Sequence, residues 1–155
     1  MRGGRCPPGD GHARGHRVLQ RHRRLRRVLE LRPLSAPRTW PTSQHYFQAQ
    51  KFAGTPHEDA IRKARTPALA AELGRDRRQK LRRDWESVKV SVMRDALRAK
   101  FTQHPALAQL LLGTGDAKLV EHTANDDHWG DGGDGRGKNM LGRPLMQLRD
   151  ELRAG

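Results

Sequence analysis

One cysteine, Cys6, stands in 155 residues, which excludes a disulfide framework and a cysteine-ligated metal centre. No apolar run approaches the roughly 18 residues that a membrane-spanning helix needs, and the N-terminus lacks the apolar core of a signal peptide. These absences predict a soluble, cytoplasmic protein with no membrane partner. Aromatic residues are scarce, at 5% of the chain, and residues 1–38 have none at all, nor any lysine. Several catalytic signatures are missing as well: there is no Gly-x-Ser-x-Gly, no His-Glu-x-x-His and no Cys–His pair with suitable roles.

What is present is one domain's length of chain with a net charge of +14, and that charge is unevenly distributed. Residues 1–38 hold eleven arginines against two acids, Asp10 and Glu30, a net +9. Residues 39–155 hold twenty basic residues against fifteen acids, a net +5. The part with a globular composition is therefore only mildly basic, and nucleic acid is a possible but not a favoured partner. The expected division is an Arg-rich segment, 1–38, and a folded domain, 39–155.

An abrupt change in composition needs a cause. One is a disordered basic arm that attracts phosphates. The other is translation of this segment out of frame. Val18-Leu-Gln-Arg-His-Arg-Arg-Leu-Arg-Arg-Val-Leu-Glu-Leu31 permits codons that read, in a shifted register, as Phe-Tyr-Ser-Ala-Thr-Asp-Asp-Tyr-Gly-Glu-Phe-Ser-Asn-Phe. The shifted peptide has aromatics, acids and turn residues in ordinary proportion.

From residue 39 onward the pattern is helical. Trp40-Pro41 is extended, and Ser43 is offered as the N-cap of a helix ending near Gly54. Gln44, Gln48 and Lys51 share one face of that helix, with Phe47 expected to point elsewhere. Taken alone, this polar stripe is expected to face solvent. Thr55-Pro56-His57-Glu58 reads as a capping box, and Thr66-Pro67 starts another short helix closed by Gly74. Arg75–Arg83 puts six basic residues in nine and is expected to form a solvated helix face. Apolar positions 85, 88, 92, 96 and 99 keep helical spacing from Trp85 to Phe101. A further helix starts at Pro105, and Lys118–His122 reads as a strand. The fold class expected is α+β, predominantly α-helical: a single compact domain of short capped helices with a few short strands.

The stretch from Asp126 to Arg143 is the most unusual, with six glycines and four aspartates in eighteen residues. Glycine density of this kind suits backbone brought close to a ligand, where N–H groups and a following helix N-terminus meet phosphate or sugar hydroxyls. Gly132–Lys138 satisfies G-x-x-x-x-G-K, but Asn139 replaces the Ser/Thr that would ligate Mg²⁺, so a P-loop is rejected. The aspartates do not make an EF-hand series, so no metal is expected.

Four features together resemble the NADAR family. They are Trp40-Pro-Thr-Ser-Gln-His-Tyr-Phe-Gln-Ala-Gln-Lys-Phe52; Arg75 to Trp85 leading to Met93-Arg94 and Lys100-Phe101; Leu111-Leu-Gly-Thr-Gly-Asp116 with Leu119-Val-Glu121; and Asp126-x-x-Trp-Gly130 through Gly137-Lys-Asn-x-Leu-Gly142. The resemblance covers nearly all of 39–155. Family members begin with a segment like the shifted-frame peptide above. The resemblance implies an N-glycosidase that hydrolyses the C–N bond between ribose, as a 5-phosphate or ADP-ribose, and an aminopyrimidine or guanine base, as for early riboflavin-pathway intermediates. The implied partner is a small ribosyl phosphate or ADP-ribosyl substrate, and no cofactor is implied. The competing class is a non-catalytic ADP-ribose or nucleic-acid binding module. Nothing in the pattern specifies an oligomer.

The resemblance carries catalytic roles onto Gln44, Lys51 and Asp126. It carries substrate binding onto Trp40, His45, Tyr46, Trp85, Trp129, Gly130, Asp131, Gly135, Lys138 and Asn139. Position 44 departs from the family, which usually has Glu there, and an amide cannot exchange a proton at neutral pH. Pro144 is a second departure. A last helix starting at Asn139 would lose a bond to it, whereas one starting at Pro144 would not.

Overall fold

The computed structural model describes the backbone of His16–Val18 and residues 38–155. The Arg-rich segment assigned to 1–38 otherwise lies outside the described residues. Among those described are six helices, α1 (Ser43–Gln50), α2 (Pro56–Arg62), α3 (Pro67–Leu73), α4 (Trp85–Gln103), α5 (Pro105–Leu112) and α6 (Gly142–Ala154). Two three-residue strands, β1 (His16–Val18) and β2 (Lys118–Val120), pair in parallel with His16 opposite Lys118. The α-rich α+β expectation holds.

Local chemistry explains most boundaries. Proline opens α2, α3 and α5, where its missing N–H would have had no intrahelical partner. Thr66 accepts the Leu69 N–H and caps α3. The cap of α1 is Thr42 rather than Ser43, because the Thr42 hydroxyl accepts the His45 N–H at 3.2 Å. The capping box expected at Thr55 does not form: Glu58 accepts the N–H of Gly54 instead of that of Thr55, and the Thr55 hydroxyl donates back to the Phe52 carbonyl. Pro144 is the third residue of α6, still inside the first turn, so it removes no intrahelical bond. Arg75–Arg83 is a run of turns and not a helix face. Asp76 draws both the backbone and the guanidinium of Arg78 onto its carboxylate, and the Arg82 N–H is bound to the Lys51 carbonyl at 2.9 Å.

Two cores hold the elements. Leu97, Phe101, Leu107, Leu111, Leu119, Leu145 and Leu148 join α4, α5, β2 and α6. Trp40, Tyr46, Ala49, Phe52, Ile61, Ala70, Ala96 and Ala99 join α1, α2, α3 and α4. Burying each large side chain contributes about 1.5–3 kcal/mol. Hydrogen bonds link the parts: Tyr46 donates to Asp95 across α1 and α4, and Arg149 reaches from α6 to Thr114 and Ala117 before β2.

Candidate active site

Helix α1 presents two faces with different fates. Its inward face places His45 and Tyr46 in the core: the His45 ring contacts Thr42 and the Ala64 carbonyl, and Tyr46 packs edge-on against fully buried Trp40 at 5.5 Å. These three candidate substrate residues therefore lie inside the fold, supporting the helix. The other face carries Gln44, Phe47, Gln48 and Lys51 at intervals of three and four residues. It is not the solvated stripe expected. Gln48 is buried, while Gln44 and Lys51 are intermediate.

Phe47 does not point away from Lys51. One helical turn separates them, so the ammonium sits 6.0 Å over the Phe47 ring, and 6.0 Å over that of Trp85. Phe47 in turn meets Trp85 edge-to-face at 5.2 Å and Trp129 at 5.3 Å. One phenylalanine thus gathers α1, the start of α4 and the glycine loop around one lysine. Lys51 donates to the Gly74 carbonyl at 3.1 Å. Burial first, and then the charge of Arg75, lower its pKa from the ordinary lysine value.

Trp129 is held in place by Asp126, whose Oδ1 accepts the His128 and Trp129 N–H groups at 3.0 and 2.8 Å. Asp131 performs a similar task deeper in the loop. It accepts the Thr123 and Gly133 N–H groups and pairs with His122 at 2.8 Å. The side-chain bond from His122 foremost, with that of the Gly133 amide, lowers the Asp131 pKa to about 2. Asn139 bridges strand β2: its amide donates to the Leu119 carbonyl and accepts the Glu121 N–H. Gly130 is buried where a Cβ would meet the Thr123 side chain at 2.5 Å. Gly135 and Lys138 are exposed at the loop's outer turn.

The residues brought together are therefore Lys51, Trp85 and Trp129, with Asp126 joined through the Trp129 turn. Those not brought to them are Trp40, His45 and Tyr46 in the core, and Asp131, Gly135, Lys138 and Asn139 in the loop frame. Phe47, Gln48 and Gly74 were missed. The i, i+4 spacing from Phe47 to Lys51 was the available signal; nothing in the sequence marked the contact with Gly74. Two buried polar atoms beside the cluster, Gln48 Oε1 and His128 Nε2, have no hydrogen-bond partner.

An open depression of about 720 Å³ lies elsewhere, lined by Arg38, Thr39, Gly54, Thr55, Glu58, Asp59 and Arg62. It has no aromatic wall, and its Asp59 is already paired with Arg62 at 3.1 Å. No group of three His, Cys, Asp or Glu suited to a metal occurs among the described residues, and no described helix is long and apolar enough to cross a membrane.

Comparison with known proteins bears on this arrangement. The chain is 61% identical over 115 residues to N-glycosidase YbiA of Escherichia coli (strain K12), covering 74% of this chain and 72% of that one. It is 49% identical over 113 residues to riboflavin biosynthesis protein VVA0006 of Vibrio vulnificus, covering 73% of this chain and 31% of that protein. The solved NMR structure of E. coli YbiA superimposes with a TM-score of 0.74 at 55% identity, covering 82% of this chain and 74% of that chain. The NADAR domain matches residues 19–153, and the chain belongs to the NADAR family.

Proposed function

We propose that this chain is an N-glycosidase, a hydrolase that cleaves the bond between C1 of a ribosyl group and the nitrogen of its base. The substrates proposed are riboflavin-pathway aminopyrimidines carrying ribose 5-phosphate, or guanine carrying ADP-ribose. Relatives named N-glycosidase and riboflavin biosynthesis protein support the reaction class. The observation that carries it to particular atoms is the half-buried Lys51 amine among Phe47 and Trp85, with Trp129 against the same phenylalanine.

Burial favours the neutral amine, which is the nucleophilic form. In the ring-opened substrate, C1 is doubly bonded to the base nitrogen. Attack by Lys51 Nζ forms the Nζ–C1 Schiff base, breaks the C1–base bond, and releases the base as an amine, its nitrogen taking both protons that Nζ gives up. Water then hydrolyses the lysine Schiff base, returning the free amine and the sugar aldehyde. Trp85 and Trp129 supply faces on which a planar base stacks. Asp126 is the carboxylate for the alternative course, in which water attacks an oxocarbenium-like centre. Reductive trapping of a Lys51 adduct separates the two.

Gln44 lies two turns before Lys51 and replaces a proton-transferring group with an amide. Restoring that group is worth on the order of a hundredfold in turnover, the lower range for general acid–base catalysis. Gln44→Glu in a frame-repaired chain should raise release of ribose 5-phosphate by that order. An unchanged rate removes position 44 from the chemistry.

A second reading, a non-catalytic ADP-ribose or nucleic-acid binding module, is favoured by Gln44 and by exposed Arg77, Lys80 and Arg83. A binder saturates without turnover, and nucleic-acid binding weakens steeply as salt rises.

A further inference from the structure

Gly74 closes α3 with φ −68 and ψ −14, ordinary right-handed values that any residue adopts. Conformation therefore does not demand glycine there; space does. A Cβ at 74 would lie 2.1 Å from Gln48 Oε1, 2.8 Å from its Cδ and 2.9 Å from its Cβ. Rotating the amide away would relieve the first two contacts but not the third, which is fixed to the α1 backbone. The same residue's carbonyl accepts from Lys51 Nζ at 3.1 Å. Lys51 also holds the far side of this segment, because its own carbonyl accepts the Arg82 N–H at 2.9 Å. The basic turns from 75 to 82 are thus fastened to one residue at both ends.

We propose that Gly74 is a positioning residue for Lys51: the missing side chain lets α3 end against Gln48, and the Gly74 carbonyl then holds one N–H of the amine and orients its lone pair. A neutral amine that donates to a carbonyl directs its lone pair away from that oxygen. The free rotation of a four-carbon stem is thereby reduced to one arrangement over the Phe47 and Trp85 rings. The inference rests on the reading of Lys51 as nucleophile for its purpose, but not for its geometry.

The test compares the folded wild-type chain with Gly74→Ala and with Gly74→Ala combined with Gln48→Gly. Lys51 is labelled with formaldehyde and cyanoborohydride at a pH where lysines are neutral, and is read by peptide mass. Losing one hydrogen bond to the amine should speed labelling by about threefold to tenfold. It should lower kcat on a ribosyl substrate while leaving KM near its starting value. The double variant removes all three contacts with position 48 and should return both readings toward wild type. Unchanged Lys51 labelling in Gly74→Ala, or a double variant no closer to wild type than the single, overturns the proposal.

Should Gly74→Ala fail to fold, the wild-type chain alone decides. A lysine held on a carbonyl gives an Nζ signal in a ¹⁵N-edited spectrum that solvated lysines lose to exchange, and a Lys51 signal as labile as that of exposed Lys63 overturns the proposal. Labelling and spectrum need no substrate. A seated Lys51 without ribosyl turnover would keep Gly74 in its role and remove the glycosidase reading instead.

Discussion

Phe47→Leu tests whether one ring joins the three walls of the site. Leucine keeps an apolar side chain at a position that is 7% exposed, so most of the burial survives. What is lost is specific. Two edge-to-face pairs, with Trp85 at 5.2 Å and Trp129 at 5.3 Å, are worth about 0.5–1.5 kcal/mol each beyond area. The contact with the Lys51 ammonium at 6.0 Å adds about 0.5 kcal/mol for a group still partly open to water. The expected destabilisation is therefore about 1.5–3.5 kcal/mol, read as a lower urea midpoint at unchanged m-value. A double-mutant cycle with Trp129→Leu isolates the contact to the loop, with an expected coupling of about 0.5–1.5 kcal/mol. Coupling indistinguishable from additivity, within about 0.3 kcal/mol, would refute the claim that Phe47 carries Trp129. Turnover should fall in the same variants, because the loop face for the base is then no longer fixed opposite Lys51.

The acid limb of stability should depend on Asp131. Its folded pKa is lowered to about 2, so its stabilising effect is fully present above the unfolded value of 3.8 and is lost as pH falls from there toward 2. Asp131→Asn should flatten that limb in a pH series of thermal melts, and a limb of unchanged steepness would assign it to other carboxylates. Gly130→Ala forces a Cβ to within 2.8 Å of the Glu121 carbonyl and 2.9 Å of the Asp126 carbonyl, both backbone. It should cost about 1–3 kcal/mol by thermal unfolding, whereas a neutral outcome would mean that the loop yields easily. Sequencing the DNA for residues 30–40 should reveal a missing or extra nucleotide; an intact frame there ends the frameshift reading and leaves the arginine arm.

Helices were legible in the sequence because their signals are local. Pro56, Pro67 and Pro105 marked starts, and the spacing from Trp85 to Phe101 outweighed the strand-like alternation of Val88, Val90 and Val92. Lys51, Trp85, Asp126 and Trp129 were legible only through resemblance to a family, since no spacing along the chain says that positions 51, 85 and 129 meet. The misreadings share a cause. The polar stripe on α1 was expected in water because Gln44, Gln48 and Lys51 are polar, yet α3 and α4 close over Gln48 and Lys51. The basic run was expected to be helical from composition, yet Asp76 diverts its start and Arg82 is bound to Lys51. Both outcomes are decided by tertiary contacts that hydropathy does not encode.

The glycine loop is held largely by its own hydrogen bonds. Its glycines suggested backbone N–H groups turned toward a phosphate. Most of those groups are instead engaged within the loop: His128 and Trp129 donate to Asp126, Gly132 to the Asp126 carbonyl, Gly133 to Asp131, Gly137 to the Asp131 carbonyl, and Asn139 to the Gly130 carbonyl. Glycine is needed at 132, 133 and 135 for φ values of 70, 82 and 82, and at 130, 137 and 142 because backbone or side-chain atoms pass too close for a Cβ. A loop that satisfies its own donors is a poor anion cradle but a rigid one, and rigidity is what its single aromatic requires. Trp129 can face Phe47 at a fixed distance only if the turn beneath it does not move. Asp126 and Asp131 are the fasteners of that turn, and Lys51 lies on the other side of the Phe47 ring.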